Sequence, residues 1–186
     1  MSDGGPRAAV LADSRRWLER AVIGLNLCPF AKAVLVKEQV HFALCEADGI
    51  DGALDALARE LDDLLALDAA QRDTTLLVLP RAPADFLSFD AWAQRAERLL
   101  RRRGLEGIVQ VAHFHPLFQF TGTEPDDVTN FTNRSPWPIL HLLREDSVAR
   151  AVAAIPDPAD IYETNQETLR RLGRAGWDAL GVGAPR

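Results

Sequence analysis

The side chains able to do chemistry crowd into one stretch. From Gly107 to Glu145 the chain reads GIVQVAHFHPLFQFTGTEPDDVTNFTNRSPWPILHLLRE, which holds three of its four histidines, His113, His115 and His141, with Asp126, Asp127 and Arg134. His113 and His115 are two residues apart in an apolar run that reads as a strand, so both imidazoles project from one face. That geometry suits two ligands of one divalent metal, and His113, His115 and Asp126 form the candidate set, with His141, Asp127 or Cys28 as other sources of a third ligand. It suits acid–base work without a metal equally well. It also fits plain packing, each ring bonded to a neighbouring carbonyl or carboxylate.

Cys28 stands at the expected end of a helix, where the negative dipole end works against a standing thiolate, so it needs a histidine or arginine beside it to act as a nucleophile. With His115 and His141 it completes the catalytic candidates; a buried free thiol is the plainer reading. Arg134 immediately precedes Ser135 and Pro136, which carry the N-cap and N1 signature of a helix. Helix-start amides beside a guanidinium suit a carboxylate or phosphate, so Arg134, Asn133, Ser135 and Asn130 are the substrate-binding candidates. The alternatives are an Arg134 ion pair with Asp126 or Asp127, and asparagines that only bridge loop backbone. Lys32, Lys37, Arg81 and Arg144 are further cations with no placement from spacing. Phosphate-binding glycine loops, GxGxxG, GxSxG and HExxH are all absent from the sequence.

The elements that must position these groups alternate in type. After Asp13 or Ser14 as N-cap, Trp17, Ala21, Val22 and Leu25 recur at helical spacing. Val34 to Cys45 reads as a strand that puts His41 and Cys45 on one face. Asp48 and Gly49 open a helix striped by Leu54, Leu57, Leu61, Leu64 and Leu65. Thr74 to Leu79 suits a strand buried on both faces. Ser88 caps a helix ending in Arg101, Arg102 and Arg103, a basic solvated end that favours the dipole. Ile108 to Phe114 is the third strand, taken as central. Residues 116–135 form a loop long enough to point to function, and Phe118, Phe120 and Phe131 argue that it is ordered. A helix is expected from Ser135 through Ile139, Leu142 and Leu143, and a last one from Asp157-Pro158 to Gly173 as its C′ residue.

This order predicts a single α/β domain over residues 1–186, frayed at 1–11 and 181–186. A small, mainly parallel sheet of three to five strands is flanked by helices, with the 116–135 loop over the strand C-terminal ends, where such sheets gather ligands. At 186 residues, 47% hydrophobic and 26% charged, the chain has the balance of an ordinary globular protein. Its formal charge of −6 sets up no field for nucleic acid or an anionic membrane. Two cysteines outside any CxxC pair, no leader-like apolar segment and no membrane-length apolar run point to the cytoplasm.

GLNLCPFA (residues 24–31), LVLPR (77–81), FHPLFQFTGTEPDD (114–127), TNRSPWPILHLLRE (132–145) and NQETLRRLGRAGW (165–177) resemble the domain-of-unknown-function 1415 family of bacterial and plastid proteins. The resemblance covers almost the whole chain, implies one compact domain and brings no activity with it. Its characteristic blocks fall on Cys28, His115, Arg134 and His141. The expectation is therefore a cytosolic enzyme acting on a small anionic substrate through a His/Arg/Cys site, hydrolase-like or metal-assisted, with no nucleic-acid or membrane partner. The alternative is a non-catalytic binder of a small carboxylate or phosphate.

Overall fold

The computed structural model describes residues 5–154 and 159–185. Strands β1 (Val40–Leu44), β2 (Thr74–Val78), β3 (Val109–Phe114) and β4 (Ile139–Arg144) form one sheet in the order β1-β2-β4-β3. β1 pairs parallel with β2, whereas β4 pairs antiparallel with both β2 and β3. The sheet is therefore mixed rather than mainly parallel. β1, β2 and β3 nevertheless point the same way, so the expected direction of these three holds, and the difference is one antiparallel strand inserted between two of them. Its insertion also moves β3 from the expected centre to the sheet edge.

β4 occupies the stretch that reads as a helix from Ser135. Trp137 lies between Pro136 and Pro138, and the residue before a proline is driven to extended backbone, which carries the chain into a strand. Helix α5 (Glu145–Ala153) starts only after it. Val34 to Cys45 also divides: α2 (Ala31–Val36) is helical, Glu38 turns the chain at φ 57, and β1 follows. The first helix, α1 (Pro6–Trp17), begins well before Asp13 and runs on as π-helical turns over Leu18–Ile23; Ser14 caps nothing, because its Oγ donates to the Val10 carbonyl at 2.9 Å.

Other expectations hold in whole or in part. β2 is buried at every position. α3 (Gly49–Ala66) follows Asp48, and Leu57, Leu61 and Leu64 of the expected stripe are buried toward the sheet, with Leu54 partly buried, whereas Leu65 is exposed. The cap of α4 (Phe86–Arg102) is Asp85 rather than the expected Ser88, which lies in the first turn and donates its N–H to the Asp85 carboxylate at 2.8 Å. α6 (Ala159–Ala179) does not end at Gly173 as expected: Gly173 (φ 66) only breaks it, and helix resumes to Ala179; the expected start at Asp157-Pro158 lies outside the described residues. Among the described residues no helix is long and apolar enough to cross a membrane.

Two apolar layers sandwich the sheet. On one face Leu77, Val109, Leu140 and Leu142 pack under Leu57, Leu61 and Leu64 of α3 and Phe89, Ala93 and Ala96 of α4. On the other, Leu76, Val78, Ile139 and Phe114 meet Trp17 and Ala21 of the first helix and Leu169 and Trp177 of α6. Burying these side chains contributes about 1.5–3 kcal/mol for each large one.

Arg144 fastens the opposite end of the sheet. Its Nη2 donates to the carbonyls of Leu64 (2.5 Å), Leu67 (2.7 Å) and Arg72 (3.1 Å), and its Nε also reaches Arg72, tying the C-terminal carbonyls of α3 to β4. Arg144→Ala is expected to lower unfolding stability by about 2 kcal/mol, the scale of charge-assisted bonds left unmade, with an unchanged urea m-value. An unaltered urea midpoint would mean that water replaces these bonds without loss.

Candidate functional site

β1, β2 and β3 all end at the same side of the sheet, and the segment from His115 to Pro138 leaves β3 and returns into β4 there. Facing this segment is the first turn of α4. Between them lies a cleft of about 420 Å³, walled by Phe86, Leu87 and Asp90 on the helix side and by residues 118–122 on the loop side.

His113 and His115 do share a face, as strand alternation requires. Phe86 lies 6.2 Å and 5.8 Å from the two imidazoles, and Phe89 6.2 Å and 5.1 Å, centroid to centroid. Their roles differ. His115 is fully buried; its Nδ1 accepts the Leu117 N–H at 3.0 Å, which leaves Nε2 to donate to the Pro83 carbonyl at 3.0 Å. Burial holds its pKa below the ordinary 6.5, against the pull of the Pro83 bond. With both nitrogens occupied, the ring has no lone pair for a metal and no proton to spare without breaking a backbone contact.

His113 is less settled. Its Nε2 is buried and has no hydrogen-bond partner among the described residues, although Asp90 Oδ1 is only 3.4 Å away. Burial lowers its pKa, opposed by Asp90 and Glu97. Asp90 Oδ2 accepts from the Gln94 amide at 2.8 Å, and Asp90 forms no ion pair with a lysine or arginine among the described residues. Phe118 is 5.6 Å from the His113 ring and 4.7 Å from Phe86, and Phe120 continues the row at 4.9 Å from Phe118.

The other expected residues separate. Cys28 packs with the apolar layer on the opposite face of the sheet, away from the rings around Phe86 and Phe89. His141 is in β4, not on a helix, and faces that opposite layer too. Thr74 Oγ1 lies 2.6 Å from His141 Nε2 and 2.6 Å from the Leu142 carbonyl; one hydroxyl proton serves both only if it goes to the carbonyl and Nε2–H donates to the oxygen. The ring is buried, though the residue keeps some surface, and desolvation pushes its pKa down to about 4.

Asn130 is a hub of the loop. It is fully buried, accepts from Phe120 N–H (2.9 Å) and Thr123 Oγ1 (2.8 Å), and donates to the Glu124 carbonyl (2.9 Å). Asp127 caps the 3-10 turn Val128–Asn133 through Thr129, while Asp126 is exposed. Asn133 receives the His115 N–H on its carbonyl, and Ser135 Oγ donates to the Trp137 carbonyl rather than capping a helix. Arg134 makes no ion pair with Asp126 or Asp127: its guanidinium donates to the Phe118 (3.1 Å) and Pro125 (2.5 Å) carbonyls and lies 4.7 Å from the Phe131 ring centroid. Arg174 approaches the same ring at 5.4 Å. Arg81 pairs with Asp48 at 3.0 Å. Among the described residues no three His, Cys, Asp or Glu side chains come together as a metal-holding group, so His113, His115 and Asp126 are not assembled.

Asp90, Phe86 and Leu87 were not legible as site residues. Asp90 is one turn after Phe86 on a helix whose apolar stripe announces a core face, and only its contact with β3 distinguishes it from a solvated acid.

The family model described as a protein of unknown function (DUF1415) matches residues 9–179. No curated protein and no solved structure matches the chain.

The buried neutral His141 has a consequence for stability. Between its ordinary 6.5 and its folded value of about 4, the unfolded chain binds a proton that the folded chain refuses. Its contribution is complete above 6.5 and drains away as the pH falls, by up to roughly 3 kcal/mol near pH 4. His41, His113 and His115 are shifted the same way, burial being the first cause of each. Urea unfolding at pH 7 and pH 4.5 should show lower stability in acid, and His141→Gln, which keeps a donor for Thr74, should flatten part of that loss. Equal acid sensitivity in both proteins would remove His141 from the account.

Proposed function

The chain belongs to the DUF1415 family, whose description carries no activity, and from the geometry we propose that this protein binds a small molecule in the cleft between the first turn of α4 and residues 118–122. The observation that carries the reading is Asp90 at the edge of a row of aromatic rings. A concave apolar surface with few convergent polar groups is the usual form of a small-ligand site. Phe86, Phe118 and Phe120 supply contact area, and Asp90 supplies the acceptor that orients a donor on the ligand. His113, behind Asp90, is a positioning residue: its buried Nε2 lies 3.4 Å from the carboxylate and has no other partner among the described residues. A proton leaving a bound donor would pass to Asp90, so an enzymatic version of this reading runs through the same carboxylate.

Amide chemical-shift mapping against a library of small soluble molecules tests the location. Responses are expected at residues 86–90 and 118–122 and should weaken at least severalfold in Asp90→Asn. A library that perturbs only other regions removes the cleft from consideration.

One observation favours a second reading, the small anionic ligand expected from the sequence. Arg134 and Arg174 approach one ring, Phe131, and Arg134 forms no ion pair among the described residues. Its pKa is lowered by burial and then by Arg174, a repulsion that an anion between the two would relieve. On this reading phosphate or a dicarboxylate raises the melting temperature, and Arg134→Lys, which loses the planar fork, cancels the rise. No rise for wild type at millimolar anion would dismiss it.

A further inference from the structure

The balance of charge around the cleft carries the argument past location to ligand class, resting on the small-molecule reading above. Of the eight lining residues none is lysine or arginine, three are phenylalanine and one, Asp90, is an acid. The carboxylate meets neutral groups on both oxygens, the Gln94 amide on Oδ2 and the His113 ring near Oδ1. Nothing cationic among the described residues offsets its charge at the cleft wall, and its side chain remains 36% exposed there. Beside it, Phe86, Phe118 and Phe120 form a continuous row with centroid spacings of 4.7 Å and 4.9 Å, extended by Tyr162 at 6.0 Å from Phe120. Successive rings are tilted, at 52° and then 74°, so that edges and faces alternate along the wall.

An aromatic face attracts a cation through its quadrupole, and a carboxylate does so through its charge. An anion in the same place would meet Asp90 with nothing to offset the repulsion. We propose that the cleft takes an organic cation, an amine or alkylammonium whose charged end reaches Asp90 and whose carbon skeleton lies along the phenylalanines. The formal charge of −6 on the whole chain works in the same direction, favouring approach of cations over anions.

The proposal separates from the reading it rests on when matched probes differ only in charge. Choline and its neutral carbon isostere 3,3-dimethylbutan-1-ol have nearly the same shape. Titrated into the full chain at low salt and followed by amide shifts and calorimetry, choline should bind at residues 86–90 and 118–122 about tenfold more tightly than the alcohol, a difference of about 1.4 kcal/mol. Asp90→Asn should bring the two within twofold, and Phe120→Leu, which keeps an apolar side chain but removes a ring, should weaken choline severalfold more than the alcohol. Thermal unfolding of both variants establishes that they are folded. If the alcohol binds in the cleft as tightly as choline, the organic-cation assignment fails while the cleft stands. If neither probe perturbs these residues, cleft and ligand class fall together, and inorganic phosphate binding there in preference to choline would overturn the assignment outright.

Discussion

The antiparallel strand β4, inserted between two strands that run the same way, is the constraint on which the remaining structure depends. Leu140 and Leu142 each face a residue of β2 on one side and of β3 on the other, so the backbone groups of this strand are satisfied from both flanks. Ile139 lies opposite Val78 and Phe114 at once. Because β3 ends where β4 begins, the intervening 115–138 segment must leave and return at one edge of the sheet. A parallel partner would have allowed the chain to cross to the far edge. The antiparallel one confines two dozen residues to the end where β1, β2 and β3 also finish, and there they meet the first turn of α4.

A segment of that length, with residues such as Phe118, Asn130 and Phe131 buried, needs its polar groups answered internally. Asn130 answers three of them with one buried amide, and Arg134 answers two carbonyls with one guanidinium. Trp17 closes the arrangement from the opposite layer, its indole N–H donating to the Arg134 carbonyl at 2.8 Å while its ring meets Phe114 edge-on. The polar residues that look most like substrate ligands in the sequence are thus largely occupied with loop backbone. Side-chain bonds to local backbone are what Asn and Asp do most often in such segments, and composition cannot separate that use from recognition of a ligand.

What was readable in advance follows the same division. The buried β2 run, the leucine stripe of α3, the shared face of His113 and His115, and the order of the long loop all rest on period or burial, which are local properties. β4 was not readable as a strand from its apolar pattern, since Ile139, Leu140, Leu142 and Leu143 are apolar on both faces and such runs carry no period of their own. The flanking prolines held the missing information, through their effect on Trp137. Partners were the least legible feature of all. Nothing local to Asp90 shows that β3 approaches it, and nothing local to Cys28 shows that a sheet separates it from His115.

His113 is one of three described positions, with Thr75 and Trp137, where a buried polar atom has no partner, and it is the one beside the cleft. Val109 and Val111 precede it on the same face of β3, within the apolar layer shared with α4. A leucine or valine at 113 would meet Phe86, Phe89 and Phe118 without leaving a polar atom unpaired, whereas the histidine buries an Nε2 with no partner at a cost of about 1–3 kcal/mol. Asp90, 3.4 Å away, favours the protonated ring and opposes the burial that lowers the His113 pKa. Local rules of packing and polar satisfaction are broken together here, at the edge strand and beside the cleft walled by Phe86 and Phe118. Breaches of that kind gather where a protein gives up stability for a function. The proposed ligand site accordingly rests on the Asp90–His113 pair rather than on the better satisfied His115.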